Sequence, residues 1–383
     1  VTLQAVVGGQ YGSEGKGAIA AYLCSLHTNG LAIRVAGPNA GHTVIGRCPP
    51  DCTNSAATEL PDPGPDFHAS DRHPWRLRQV PVAAVSNTSS MLAIAAGSEV
   101  DPQVLLAEVA ALDAAGYNAG ERLTVDWTAT VIEDGHKQAE AGRNLSDRIG
   151  STAKGIGAAR ASRAMREATL AGDCRLLDRF TRFGGSVARD AMGHLGDGGQ
   201  VLVEGTQGYL LGTHAGYYPQ CTSSDCTAMD MLAMAGIAPW SAGGFRFEAW
   251  VVFRTLPIRV AGNSGPLLHE TTWEALGLPE EHTTVTRKVR RVGQWDGRLA
   301  RAAMEANGHG HGPGSPVHAA LTMADYVIPE LSGLWFEKDI PDHKMHAWDR
   351  LLASRSADIG RPVELVGTSP STIINLQNSL ARS

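Results

Sequence analysis

The densest chemistry in the chain follows its first apolar run. There the residues read Gly8-Gly9-Gln10-Tyr11-Gly12-Ser13-Glu14-Gly15-Lys16-Gly17, and residues 18–23 then suit a helix. Strand, glycine loop and helix together make an anion site. Glycines let backbone N–H groups approach phosphate oxygens, the helix N-terminus adds partial positive charge, and Lys16 supplies a mobile cation. The run is not a Walker A loop, because Gln10 stands where the first glycine belongs and Gly17 where Ser or Thr should follow lysine. It is not a G-x-G-x-x-G fingerprint either, and taken alone it also reads as a structural glycine turn.

Such a loop needs a strand and a helix to hold it. Short apolar runs ending in glycine-rich turns recur at 3–7, 31–35, 201–203 and 363–366, the pattern of buried strands whose ends carry ligand loops. Helical periodicity is clearest over 104–112, with Asp101 as N-cap, Pro102 at the first position and Gly116 as the stop. This alternation predicts an α/β fold around a central sheet. Residues 45–82 carry seven prolines and read as an irregular surface excursion, as does 307–316. No repeat at solenoid or propeller periods is present, so residues 1–383 are read as a single domain with subdomains.

A chain of 383 residues can bury a large core. Its formal net charge of −6 and pI near 6.2 argue against a nucleic-acid polymer as main partner, which would call for a basic face. No apolar run is long enough to cross a bilayer, and the first residues lack the features of a secretory signal, so a soluble cytoplasmic protein is expected. The cysteine pairs Cys48/Cys52 and Cys221/Cys226 lack C-x-x-C spacing, and reduced structural thiols are expected.

The loop Gly12-Ser13-Glu14-Gly15-Lys16-Gly17 closely resembles the G-D-E-G-K-G of adenylosuccinate synthetases, with serine in place of aspartate. Six further segments resemble family motifs in the family's order: 37–43, containing Asn39-Ala40-Gly41-His42-Thr43; Ser151-Thr152-Ala153-Lys154-Gly155-Ile156-Gly157; Glu204-Gly205-Thr206-Gln207-Gly208 with Thr222-Ser223-Ser224; 284–291; 321–325; and Thr368-Ser369-Pro370. An ordered set of this kind is far more specific than any one motif. The resemblance implies one large domain around a mainly parallel sheet. It also implies a homodimer in which Arg166 reaches the neighbour's phosphate; a solvated helix charge is the plain alternative for that residue.

In this family, phosphoryl transfer from a nucleoside triphosphate to O6 of a purine monophosphate precedes displacement of phosphate at C6 by the amine of aspartate. By resemblance, Lys16 and His42 are catalytic, with His42 the donor to O6 and the γ-phosphoryl group, and the carbonyl of Gly41 helps hold Mg²⁺. The triphosphate is implied to lie against Gly12, Ser13, Glu14, Gly15, Lys16, Gly17, Gly41, His42, Thr43, Asp325, Gly367, Thr368 and Ser369. Ser13, Asn39, Thr152, Arg166, Gln207, Thr222 and Lys288 are implied to take the monophosphate, and Thr284, Val285, Thr286 and Arg290 the aspartate, whose carboxylates suit a guanidinium fork. Lys288 stands where the family commonly has an arginine near the sugar.

Ser13 occupies the position of the family's catalytic and metal-binding aspartate, and a neutral hydroxyl is a poor base. An inactive enzyme, another proton acceptor, and a site rebuilt for a different purine are the three readings. The third has a steric reason: a 2-amino group lies beside N1 and would crowd a carboxylate, whereas serine is smaller and can both donate and accept. The substitution resembles that of viral 2-aminoadenylosuccinate synthetases, which use dGMP in place of IMP. ATP or dATP is the favoured donor. GTP stays open, because Asp325 suits guanine while Met323 replaces the family's usual lysine. A conventional IMP- and GTP-dependent enzyme is the alternative, and a non-catalytic nucleotide-binding regulator would need neither His42 nor the 284–291 loop.

Overall fold

The apolar runs pair edge to edge. Numbering the strands of the central sheet in chain order, β1 is Thr2–Gly8, β2 Gly30–Arg34, β3 Met91–Ile94, β4 Leu123–Val125, β5 Gln200–Glu204, β6 Arg246–Arg254, β7 Val317–Thr322, β8 Val363–Gly367 and β9 Ile373–Asn375. Their spatial order is β9-β8-β7-β6-β1-β5-β2-β3-β4. Every neighbouring pair is parallel except the edge pair β8 and β9. This computed structural model describes residues 1–35, 37–48, 72–240, 244–282, 288–308 and 315–377.

Helical crossovers cover both faces of a parallel sheet, which is why its strands are apolar without alternation. Leu3, Ala5 and Val7 of β1 pack on one side with the helices Val187–Gly196, Ala228–Ala235, Gly297–Ala306 and Asp342–Ile359. Val6 packs on the other side with Lys16–Ser25 and Pro102–Ala114. The result is a large α/β layer structure, as the sequence predicts. From β1 the chain builds one half of the sheet, returns as β5 beside β1, and then crosses to build the other half. That reversal is a topological switch point, and the C-terminal strand ends around β1 share one rim.

Local signals place the helix Pro102–Ala114 as expected. The Asp101 carboxylate accepts from the N–H groups of Gln103 at 3.2 Å and Val104 at 3.4 Å, and Gly116 takes a left-handed φ of 80° just beyond the other end. The stretch 45–82 is different from the irregular excursion expected. His42–Arg47 pairs antiparallel with Arg72–Leu77, in register from His42↔Leu77 to Arg47↔Arg72. Val44, Trp75, Leu77, Val80 and Val82 are buried in the core. Proline density misled because Pro74 lies in a two-stranded ribbon, where a strand has a free edge and a missing N–H need not break the ladder. Residues 49–71 of this stretch, and 309–314 of the second one, lie outside the described residues.

Cys24, Cys174, Cys221 and Cys226 are free thiols, but Cys48 is disulfide-bonded, which corrects the expectation for that residue. It lies one residue beyond the strand His42–Arg47. Among the described residues no helix is long and apolar enough to cross a membrane. Asp101 also pairs with Lys137 Nζ at 2.8 Å. Asp101→Ala should therefore cost about 1–2 kcal/mol, mostly through the lost cap, and calorimetry should show a lower Tm. An unchanged Tm would show that this helix end is held by something else.

Candidate active site

The glycine loop is shaped from inside by Glu14. Its fully buried carboxylate accepts from the N–H groups of Gln10 at 3.1 Å and Gly12 at 2.7 Å, and from Lys16 Nζ at 2.5 Å. Gly8 and Gly208 are needed for clearance, since a Cβ on them would lie 2.5 and 2.3 Å from the carboxylate oxygens. Lys16, expected to be mobile, is instead buried and held by Glu14. Gln10 replaces the Walker glycine because its side-chain amide extends the sheet. It donates to the Arg254 carbonyl at 3.1 Å and accepts from the Arg254 N–H at 2.9 Å. At position 17 a Cβ would come within 2.9 Å of His42 Cβ and the Thr43 carbonyl, so the hydroxyl residue of a Walker loop has no room.

A cleft of about 560 Å³ opens above these strand ends. Its walls bring together Gly12, Ser13, Gly15, Lys16 and Gly17 from the loop after β1, and Asn39, Gly41, His42 and Thr43 from the segment after β2. Thr152, Gln207 and Thr222 line one end, Asp325, Gly367 and Ser369 are contributed from beyond β7 and β8, and Lys288 and Arg290 complete the lining. Three expected ligands stand apart. The Glu14 side chain turns inward, Thr368 is buried with its hydroxyl donating to the Leu334 carbonyl at 2.7 Å, and Arg166 is exposed at the end of the helix Ile156–Met165 without lining the cleft. Thr284, Val285 and Thr286 lie outside the described residues.

His42 stands on a buried ion pair that was not singled out from the sequence. Glu204, at the end of β5, accepts from the Arg34 guanidinium and from the Val82 N–H at 2.9 Å, and its Oε1 lies 2.5 Å from His42 Nδ1. The same Nδ1 also lies 2.5 Å from an Arg34 guanidinium nitrogen, so Nδ1 is engaged by the pair in either tautomer and Nε2 is the ring nitrogen left for ligands. Burial, reinforced by Arg34, lowers the His42 pKa to about 4, so the imidazole is neutral at pH 7. Burial alone would raise Glu204, but Arg34 and His42 outweigh it and hold the carboxylate below its ordinary range. Arg34 and Glu204 were legible only as charges closing apolar strands, and Glu204 as the first residue of the Glu204–Gly208 motif.

Ser13 is exposed to the cleft in a left-handed conformation, φ 59°, and its hydroxyl accepts from the Arg290 guanidinium. Beneath it, fully buried Arg254 donates to the Ser13 carbonyl at 3.2 Å and pairs with Glu281, another residue missed from the sequence. Arg160 donates to the carbonyl of the cleft-lining Ser223 at 3.1 Å, while its Nε lies 2.7 Å from Glu99. Gln207 donates to Asn39 at 3.4 Å. Burial raises the Asp325 carboxyl to about 6, leaving it mainly ionised at pH 7 and able to accept from a purine edge. Among the described residues no cluster of His, Cys, Asp or Glu could hold a metal by itself. Ser13 and Gly41, the residues expected to help hold Mg²⁺, both line the cleft.

A glycine loop, a histidine on a carboxylate and basic side chains around one strand-end cleft define a nucleotide-dependent group-transfer site. The family model described as adenylosuccinate synthetase matches residues 68–189 and 179–311. An adenylosuccinate synthetase of Methanococcus maripaludis strain C5 is 34% identical over 375 residues, 97% of either chain. That of Pyrococcus horikoshii is 34% identical over 371 residues, 95% of either chain. Among solved structures, the succinoaminodeoxyadenylate synthetase of cyanophage S-2L, bound to dGMP and to dATP as an energy donor, matches with a TM-score of 0.73 at 26% identity, over 100% of this chain and 99% of that one. The fully ligated adenylosuccinate synthetase of Plasmodium falciparum shares the fold, with a TM-score of 0.74 at 18% identity over 97% and 99% of the two chains.

The chain belongs to the adenylosuccinate synthetase family. It is therefore a C–N bond-forming ligase of purine biosynthesis, from a family that works on small-molecule substrates with Mg²⁺ and a nucleoside triphosphate. Glu14→Ala would strand the Lys16 ammonium in a buried site without its counter-charge. Breaking one side of such a pair costs about 3–5 kcal/mol, so a large drop in Tm is expected by calorimetry. A variant that melts like the wild type would show that Glu14 does not hold the loop.

Proposed function

We propose that the protein joins L-aspartate to C6 of dGMP at the expense of ATP or dATP, giving 2-amino-2′-deoxy-N6-succinyladenylate for 2-aminoadenine DNA. The observation that carries this reading is Ser13, a small neutral hydroxyl in the cleft where the family's aspartate would stand. It leaves room for a 2-amino group and can hydrogen-bond the purine edge in either sense. Support comes from the cyanophage protein, which was bound to dGMP and dATP. The second reading, IMP with GTP, is favoured by Asp325, an acceptor suited to guanine, and by the relatives named adenylosuccinate synthetase.

In this reading O6 attacks the γ-phosphorus, the N1 proton passes to water, and the bond from the γ-phosphorus to the β–γ bridging oxygen breaks, releasing the nucleoside diphosphate. The amine of aspartate then displaces phosphate from C6. His42 serves O6 and the γ-phosphoryl group through Nε2; the negative charge of incoming phosphates opposes the effect of Arg34 and favours the proton-carrying imidazole. Ser13 and the Gly41 carbonyl would hold Mg²⁺, which when bound offsets charge between the terminal phosphates. Thr152, Thr222 and Asn39 take the 5′-phosphate, Gln207 and Lys288 the base and sugar, and Arg290 with 284–286 the aspartate. Arg166 completes the partner's phosphate site in a homodimer. The chain works as one catalytic domain, in the cytoplasm of a host cell.

His42→Asn should leave nucleotide binding nearly intact and lower kcat by a factor of roughly 10² or more. Steady-state phosphate release together with calorimetric binding checks this, and unchanged turnover removes His42 from the mechanism. For the purine, aspartate-dependent phosphate release should favour dGMP over IMP in kcat/KM. Ser13→Asp should shift the ratio toward IMP by about 10- to 200-fold, the worth of one polar or steric mismatch in a pocket. A dGMP/IMP ratio that stays constant or rises in a folded Ser13→Asp variant would rule out Ser13 as the specificity element.

A further inference from the structure

The proposed chemistry makes no use of Glu140, yet its carboxylate is one of the most completely engaged groups in the cleft wall. It lies on the helix Asp134–Gly142 and is buried, 5% exposed. Oε2 accepts from the Gly155 N–H at 2.7 Å, and Oε1 accepts from Gly157 at 2.7 Å and Ala158 at 3.3 Å. These N–H groups open the ten-residue helix Ile156–Met165, directly after the turn that carries Thr152. Gly155 is left-handed, φ 83°, and a Cβ on it would come within 3.0 Å of the Lys137 N, so the turn rests directly on the helix that bears Glu140.

A helix N-terminus beside a phosphate site normally invites the ligand's own anion. Here a protein carboxylate already fills it. The incoming phosphate is therefore left to the hydroxyls of Thr152 and Thr222, both in the cleft wall, and the turn holds its shape without help from a ligand. We propose that Glu140 is a positioning residue for the nucleoside monophosphate. Its carboxylate holds residues 151–158 in the form that presents Thr152 to the 5′-phosphate, a role that rests on the purine-ligase reading above.

Glu140→Ala deletes an acetate-sized fragment, which makes a direct test available. In the folded variant KM for dGMP should rise on the order of 10- to 100-fold, with kcat and the KM values for triphosphate and aspartate within about threefold, because misplacing one binding group acts on the ligand it serves. Added sodium acetate should restore much of the dGMP affinity, while sodium chloride at equal ionic strength should not. Glu140→Gln keeps one acceptor oxygen and should fall between wild type and Glu140→Ala; it carries the kinetic test if the alanine variant does not fold. Amide exchange at Gly155 and Gly157 should be slow in the wild type and fast in Glu140→Ala. A KM for dGMP within twofold of wild type, a joint rise of all three KM values, or fast exchange of these amides in the wild type would overturn the assignment. Wild-type protein that releases no phosphate with either purine sinks the ligase reading instead, and calorimetric binding of dGMP to wild type and Glu140→Ala then decides the role of Glu140 separately.

Discussion

The carboxylate of Glu14 is the point around which the cleft is organised. A buried carboxylate is tolerated only when its oxygens are engaged, and two backbone N–H groups with one ammonium do that here. Meeting this demand bends the loop inward at Gln10 and Gly12 and leaves Ser13 outward. The Glu14 carbonyl also accepts from Thr322 Oγ1 at 2.6 Å, which ties the loop of β1 to the end of β7, while Gly208 brings the segment after β5 against the same carboxylate. Three strand ends thus meet at one residue, through its carboxylate and its backbone carbonyl.

The two cleft positions His42 and Ser13 repeat this device. His42 stands on the Arg34–Glu204 pair and Ser13 above Arg254–Glu281, each pair joining a strand terminus to its surroundings at the rim. Buried ion pairs contribute little net stability, because desolvation offsets most of the attraction, but they fix geometry closely. The parallel sheet supplies the rim, and the pairs keep its charges balanced beneath the cleft. Lys288 and Arg290 line the cleft itself, where anionic substrates arrive.

Much of this was legible in the sequence where the deciding physics is local. Asp101 with Pro102 marked a helix start because capping needs only residues within one turn, and the glycine loop announced itself through spacing. Glu204, Arg34, Arg254 and Glu140 were not legible as site residues. Each draws its importance from a partner distant in the chain or from backbone N–H groups that only the fold assembles, such as Arg34 with Glu204. The hairpin arms beside 49–71 were missed for another reason. Proline content there outweighed the short apolar alternation of Val44, Trp75 and Leu77, whose burial only tertiary packing reveals.

That hairpin has a consequence for how such a chain can diverge. His42 begins one arm and Leu77, its register partner, ends the other, while Arg47 and Arg72 face each other five rungs away. The ladder holds the histidine end of the ribbon in place, and length added or removed beyond Arg47 enters at the opposite end. A longer or shorter sequence between the arms would leave the register of the ribbon at His42 unchanged.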